Sequence, residues 1–403
     1  MNVTAGGGVA AKWRAIGSEL GGEYLEREDV IDALTVAVLA GQNSLIVGPP
    51  GTGKSALVRA LTARVTGATY WETLMSKYTS PTQIFGPIDI AALHQGGQMS
   101  QVYADHATEA HIGFIDEVFN TNATALNPML SFLNEHLYHP EAGGQPVKCN
   151  LIAAVGASNY LRTDGDCAAI YDRFTVRLEV DYLADQSNFA ALLKSAAPGG
   201  SKAAPTTVTL DELTHAVEVE VPAVEIPDGV IDAVCDLRAD LWREGLRSSD
   251  RRWKTAIRLI QASAYLAGRT VADTSDMRVL QHVMWEDPEH RAKVARTVLD
   301  KAITGAGEAL DLADAAAELE AELKSKAGES RQKRNEWASE VANVQLNTAA
   351  ERLAELIEAA RNEGKPTTHL ESALTKVNGV RVQVAVECMN VTPALAKAAL
   401  GIA

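Results

Sequence analysis

Residues 45–55 read Leu45-Ile-Val-Gly48-Pro49-Pro50-Gly51-Thr52-Gly53-Lys54-Ser55: an apolar run passes straight into three closely spaced glycines, a lysine and a hydroxyl. No other stretch leaves the backbone so few options. The apolar run reads as a short buried strand, and residues 55–65 carry helical spacing, so the local order is strand, glycine-rich loop, helix. Gly48 through Ser55 also satisfies G-x-x-x-x-G-K-[ST] at every required position. In such a loop the backbone N–H groups of Gly48, Pro49, Pro50, Gly51, Thr52 and Gly53, prolines excepted, turn inward around phosphates, and the helix N-terminus adds its positive dipole end. Lys54 is then placed to reach the β- and γ-phosphates of ATP, and Ser55 to ligate Mg²⁺.

Further apolar runs at 112–115, 151–155 and 176–180 alternate with helical stretches at 29–39, 123–133 and 186–193. That alternation predicts an α/β domain over residues 1–197, a parallel sheet flanked by helices. Between 198 and 227 prolines recur at 198, 205, 222 and 227, and Val217, Val219 and Val221 alternate with polar residues, which reads as a linker with one extended segment. From 228 to 305 the pattern is helical, clearest over 252–266, and predicts an all-α domain. A largely helical extension over 306–403 follows, with apolar stripes at Leu319/Leu323, Trp337/Val341/Val344 and Leu353/Leu356/Ala360. Its last stretch, 377–391, alternates Val380, Val382, Val384 and Val386 with polar residues and is expected to be a terminal strand.

Four more segments bear on the chemistry. The run His111-Ile-Gly-Phe-Ile-Asp116-Glu117 is an apolar strand ending in two acids. Following a phosphate loop, Asp116 is expected in the Mg²⁺ shell and Glu117 to orient and deprotonate an attacking water. A second strand, 151–158, ends in Asn159, whose amide suits the γ-phosphate or that water. Arg173, in Tyr171-Asp172-Arg173-Phe174, precedes the strand at 176, and Arg251-Arg252 opens the long helix of the α domain.

Composition limits the partners. The chain has 403 residues and a formal charge of −15, so a sequence-independent grip on nucleic acid would need a dominant basic stripe. Two clusters are present, Arg247/Arg251/Arg252/Lys254/Arg258 and Lys324/Lys326/Arg331/Lys333/Arg334, but neither dominates and the second is a short mixed run of the kind that forms a solvated helix face, which speaks against nucleic acid. Four scattered cysteines without paired spacing fit reduced thiols, and the N-terminus lacks the charged and apolar regions of a signal peptide, so a cytoplasmic location is expected. No apolar run approaches the about 18 residues of a membrane span.

Taken in order, these motifs resemble the AAA+ superfamily, and within it SKYTSPTQIFGPIDIAAL (76–93), Asn134-Glu135, AIYDRFTVRL (169–178) and SSDRRWKTAIRLIQASAYLAGR (248–269) are similar to the MoxR family, RavA-like branch. The resemblance spans about residues 20–300 and implies a five-stranded P-loop sheet with an all-α lid. It implies Walker A at Gly48–Ser55, Walker B at Asp116 and Glu117, sensor 1 at Asn159, an arginine finger at Arg173 and sensor 2 at Arg251, with Arg252 as the alternative register. It further implies ATP and Mg²⁺, a homo-hexameric ring, an insert near 79–99 and a hairpin near 137–148 facing the ring surface or pore. Chaperone-like remodelling with a von Willebrand factor A domain partner and a protein client is the activity implied; a metal-chelatase ATPase subunit and a nucleic-acid motor are the alternatives.

Overall fold

The computed structural model describes residues 6–96, 100–140, 143–162, 165–195, 204–303, 305–362, 367–389 and 391–401. Residues 198–203 of the expected linker and residues 97–99 of the expected insert lie outside the described residues.

Five strands form one parallel sheet: β1 (Ser44–Val47), β2 (Tyr70–Leu74), β3 (Ile112–Asp116), β4 (Ala153–Ser158) and β5 (Val176–Glu179), in the spatial order β2-β3-β4-β1-β5. The inner strands are buried on both faces, so they appear in the sequence as unbroken apolar runs. Edge strand β2, Tyr-Trp-Glu-Thr-Leu, buries only Trp71 and has no such run, which is why the sequence reading passed over it. Val47 lies opposite Ser158 and Glu179, and Leu74 opposite Asp116, so the C-terminal ends of all five strands share one edge of the sheet.

Helices cover the sheet. α1 (Gly6–Glu23) buries Ala10, Trp13, Ile16 and Leu20, a helical stripe that five glycines after position 6 hide from propensity-based reading. α2 (Glu28–Leu39) packs on α1 and β5, and α3 (Lys54–Thr62) starts at the glycine-rich loop. α4 (Ala123–Glu135) is capped by Asn122, which accepts from the Ala125 N–H. On its inner face Phe132 meets Phe85 edge-on at 5.6 Å, and Phe85 stacks on Tyr138 at 4.2 Å. Tyr138 belongs to an antiparallel pair, Leu137–Tyr138 with Val147–Lys148, at the place of the expected hairpin. α5 (Gln186–Ser195) follows β5.

Two expectations fail here. The linker is not extended at 217–221. Val208–Thr209 pairs in parallel with Val65–Thr66, and Thr209 and Glu212 form a capping box that starts a helix at Leu210, continuing as a π-helical turn over Ala216–Glu220. Leu213, Ala216 and Val221 are buried while Val219 is exposed, so burial overrides the alternation of valines.

The chain divides into two compact units. The first holds Met1–Pro227, Ser248–Ala272 and His282–Met284, and so includes α7 (Asp250–Leu266), which packs on α1 and α2 and buries Ala256, Leu259, Ile260 and Ser263. The second holds Asp228–Arg247, Asp273–Gln281 and Trp285–Ala403. In it α6 (Asp228–Arg243) packs on α8 (Pro288–Ala302), and α9 (Ala306–Ser325), α10 (Asn343–Asn362) and α11 (Thr368–Met389) form a three-helix bundle.

The bundle carries the second correction. Residues 377–389 are helix α11, not a strand: Val377, Val380, Val384 and Cys388 are buried at spacings of three and four, and Val382 and Val386 flank that stripe. A strand there would bury every second valine and leave α9 and α10 without a third wall. Of the stripe at Trp337/Val341/Val344 only Trp337 is buried, because a π-helical turn at Ala338–Ala342 rotates the face so that Ala338, Ala342 and Leu346 point inward.

Candidate active site

The shared C-terminal edge of the sheet gathers the residues that the sequence singled out. Gly51 and Gly53 both adopt φ +82°, open only to glycine at low cost, and the Gly48 N–H donates to Ser158 O at 3.1 Å, tying the loop to β4. A Cβ on Gly48 would run into the Val180 carbonyl and lie 2.7 Å from its Cγ2. Gly48→Ala is therefore expected to displace the loop, lowering stability by about 1–3 kcal/mol and weakening nucleotide binding in the same step. Thermal denaturation with and without an ATP analogue reads both effects; an unchanged midpoint and affinity would contradict the geometry.

Lys54 is buried, with Nζ donating to Gly48 O at 2.6 Å, Pro49 O at 3.0 Å and Asn159 Oδ1 at 3.0 Å. Burial pulls its pKa below the usual lysine value, and the charges of Asp116 and Glu117 oppose that pull. Ser55 Oγ lies 3.2 Å from Asp116 Oδ2. A hydroxyl and a carboxylate oxygen side by side at a strand end are the hard oxygen donors that Mg²⁺ takes, so Ser55 and Asp116 fit that ion.

Glu117 adopts φ +52°, a left-handed conformation that costs a side-chain-bearing residue about 1–3 kcal/mol. It is held there by Val118 N–H to Ala157 O at 3.0 Å, Asn120 N–H to Glu117 O at 2.7 Å and its own N–H to Asp116 Oδ1 at 3.0 Å. The result turns the carboxylate to Asn159, whose Nδ2 donates to Oε1, while Asn120 Nδ2 lies 3.5 Å from Oε2. Asn159 thus touches both Lys54 and Glu117. Asn120, itself accepting from Tyr160 Oη at 2.6 Å, and Tyr160 are residues that sequence reading did not reach; no spacing rule links 117, 120 and 160 before the strands bring them together.

A cavity of about 1010 Å³ opens beside the loop, lined by Gly51, Tyr24, Leu25, Tyr182, Phe189 and Leu192 among others. Its walls are pinned to each other. Glu26 accepts from the Ala184 N–H at 2.8 Å, the Asp185 N–H at 3.0 Å and Asn188 Nδ2 at 3.1 Å, which holds its carboxyl below the usual range, and Arg27 donates to Asp181 O. Apolar, aromatic walls next to a phosphate loop suit a nucleobase. The wall residues too were missed, since the segment at 24–27 and that at 181–192, a loop running into α5, lie about 155 positions apart.

The arginines lie elsewhere. Arg173 precedes β5, and its carbonyl accepts from Asn43 Nδ2 at 3.3 Å at the start of β1, so it sits at the N-terminal edge of the sheet. From the Ser44/Val176 level to Gly48 is about 13 Å of strand, longer than an arginine side chain. Arg251 and Arg252 join Arg173 on Asp172 rather than the glycine-rich loop. The basic cluster is thereby partly consumed: Arg252 is buried and Arg258 donates to Val217 O.

A family model for the MoxR domain of MoxR-vWA-beta-propeller ternary systems matches residues 11–216, and an AAA lid domain model matches residues 229–298. The chain belongs to the MoxR family of AAA+ ATPases. The model names the ternary systems and does not speak to a RavA-like branch. Two uncharacterized proteins of Methanocaldococcus jannaschii, MJ0079 and MJ0812, are each 32% identical to the MoxR chain. MJ0079 aligns over 78% of this chain and 81% of its own length, MJ0812 over 73% and 77%. A candidate ATPase from Cytophaga hutchinsonii, solved by crystallography, shares the fold with a TM-score of 0.57 at 17% identity, covering 73% of this chain and 94% of that one. The MoxR assignment agrees with the strand order and with the helical lid and C-terminal region. Among the described residues no helix is long and apolar enough to cross a membrane, and no group of three or more His, Cys, Asp and Glu could hold a metal on its own.

Proposed function

We propose that this chain hydrolyses ATP as a subunit of a hexameric MoxR ring and uses the turnover to remodel or mature a protein client, together with a von Willebrand factor A domain partner and a β-propeller protein. One observation carries the reading: Lys54, Ser55, Asp116, Glu117 and Asn159 meet at one edge of the sheet while Arg173 stands at the other, so a site with its arginine needs a second copy. The partners rest on the ternary systems for which the matching family model is named.

The chemistry follows from the side chains. Loop N–H groups and Lys54 bind and orient the triphosphate; Ser55 and Asp116 hold Mg²⁺, which when bound neutralises charge on the phosphate oxygens. Glu117 accepts the proton of the attacking water, and Asn159, placed between Lys54 Nζ and Glu117 Oε1, keeps the water between base and γ-phosphate. Arg173 of the adjacent copy stabilises charge on the transferring phosphoryl group. Arg251 shares a carboxylate with Arg173 and acts at the same edge, so of the two registers the exposed Arg251 is the one accessible to phosphate and the buried Arg252 is an anchor.

Glu117→Gln in ATP should trap partners. A pull-down that retains a von Willebrand factor A domain protein supports the reading; capture of nucleic acid instead would move the function to a different class of motor.

The C-terminal bundle has its own core, from Ala309 to Cys388. It acts as a docking or specificity module. Deleting residues 306–403, a cut that spares α8 and removes α9 whole, is expected to leave basal ATPase within about twofold of wild type. A folded truncation that neither assembles nor hydrolyses ATP would make the bundle part of the ring's structure.

A further inference from the structure

Asp172 stands between the candidate finger and the start of α7. Its Oδ1 accepts from Arg252 Nη2 at 3.2 Å. Its Oδ2 faces Arg173 Nη1 at 3.3 Å and Arg251 Nη2 at 3.7 Å, and its carbonyl accepts from Arg251 Nη2 at 3.4 Å. The surroundings of the three side chains differ: Arg252 is 3% exposed, Arg173 23% and Arg251 47%.

Arg252 is 3% exposed and donates to Asp172 Oδ1, and a buried guanidinium in a fixed place restrains where the Asp172 carboxylate stands. The second oxygen is then left to the two more exposed arginines. Without it they would repel each other and sample many rotamers, since both are long side chains at an accessible edge. Asp172 Oδ2 removes that freedom from both at once.

We propose that Asp172 is the positioning residue that aims the Arg173 and Arg251 guanidiniums at phosphates bound by a neighbouring subunit. This rests on the reading that Arg173 works across the subunit interface. Asp172 acts through the arginines, the groups its carboxylate contacts. An asparagine could replace only one of the two oxygens, because its NH₂ would face a guanidinium donor to donor.

The test uses full-length Asp172→Asn and Asp172→Glu, each compared with wild type for assembly by light scattering, binding of a fluorescent ATP analogue, and steady-state kcat and KM. Both variants are expected to assemble and bind with KM unchanged, while kcat falls by about 10²-fold, the cost of misplacing a group by about 1 Å. The decisive measurement is complementation. A mixture of Asp172→Asn with Glu117→Gln should regain activity, as the control mixture of Arg173→Ala with Glu117→Gln does, since each partner contributes the half that the other lacks. Wild-type kcat in Asp172→Asn overturns the proposal. So does an inactive Asp172→Asn that is not complemented while the control is, because Asp172 would then serve its own subunit's pocket. If the control itself fails in rings proven to be mixed, the trans reading of Arg173 is at fault and the proposal falls with it. Should Asp172→Asn not assemble, Asp172→Glu carries the same readouts, and its wild-type kcat or lack of complementation overturns the proposal equally.

Discussion

Mixing two inactive variants, Arg173→Ala and Glu117→Gln, is expected to restore part of the ATPase activity that neither has alone. An arginine that stabilises phosphoryl-transfer charge is worth about 10³–10⁵ in rate, so Arg173→Ala should assemble and bind ATP yet barely turn over. Glu117→Gln should be nearly as slow, because it removes the carboxylate proposed to take the water's proton. The sheet geometry says why the two defects separate. Arg173 is held at the start of β5 by Asn43, and the phosphate loop leaves the end of β1, so the two are separated by the length of the strands within one chain. In a mixed ring some interfaces place an intact Glu117 pocket against an intact Arg173. Subunit exchange has to be shown independently, for instance by fluorescence transfer between labelled variants. A rate that stays at background in proven mixed rings would place Arg173 in service of its own subunit and remove the argument for an active oligomer.

Lys54→Ala and Glu117→Gln should fail in opposite ways. Lys54 Nζ is already surrounded by Gly48 O, Pro49 O and Asn159 Oδ1, a set of acceptors that holds the ammonium at the mouth of the loop ready for phosphate oxygens. Each hydrogen bond from a charged donor is worth about 1.5–3 kcal/mol, so its loss weakens ATP binding by about 10- to 150-fold. Glu117 meets the side-chain amide nitrogens of Asn159 and Asn120, away from the Gly48 and Pro49 carbonyls that hold the lysine, and its substitution by Gln leaves the loop intact. Binding should therefore survive in Glu117→Gln while turnover falls by about 10²–10⁴-fold. Titration with a fluorescent ATP analogue and a phosphate-release assay separate the two; a Glu117→Gln protein that hydrolyses ATP at the wild-type rate would refute the assignment of the base.

Much of the site could be read without coordinates because each piece is a local signal. Gly48–Ser55 declares itself by residue type and order, and Asp116, Glu117 and Asn159 by standing at the ends of apolar runs. The sheet strands that are buried on both faces were readable for the same reason, and β2, with one buried side chain, was not. The failures share one cause. At 217–221 valines alternate with glutamates and at 380–386 with Arg381, Gln383 and Ala385, yet both segments are helical, because a capping box in one case and two neighbouring helices in the other decide which side chains are buried. Period-two patterns over five to seven residues fit a helix stripe too, when small and half-buried positions fill the gaps.

The sequence by itself determined the phosphate loop, the two acids, the asparagine and the α/β class, since these depend on residues adjacent in the chain whose backbone preferences and charges act over a few positions. Tertiary structure alone decided which carboxylate Arg251, Arg252 and Arg173 share, that Asn120 and Tyr160 support Glu117, that Tyr24 and Tyr182 wall one cavity, and that residues 377–389 are a helix. Each of these joins segments separated by tens to hundreds of residues or depends on what packs against a neutral stretch. Such pairings are set by the register of the parallel strands and by burial, neither of which is encoded in any local window.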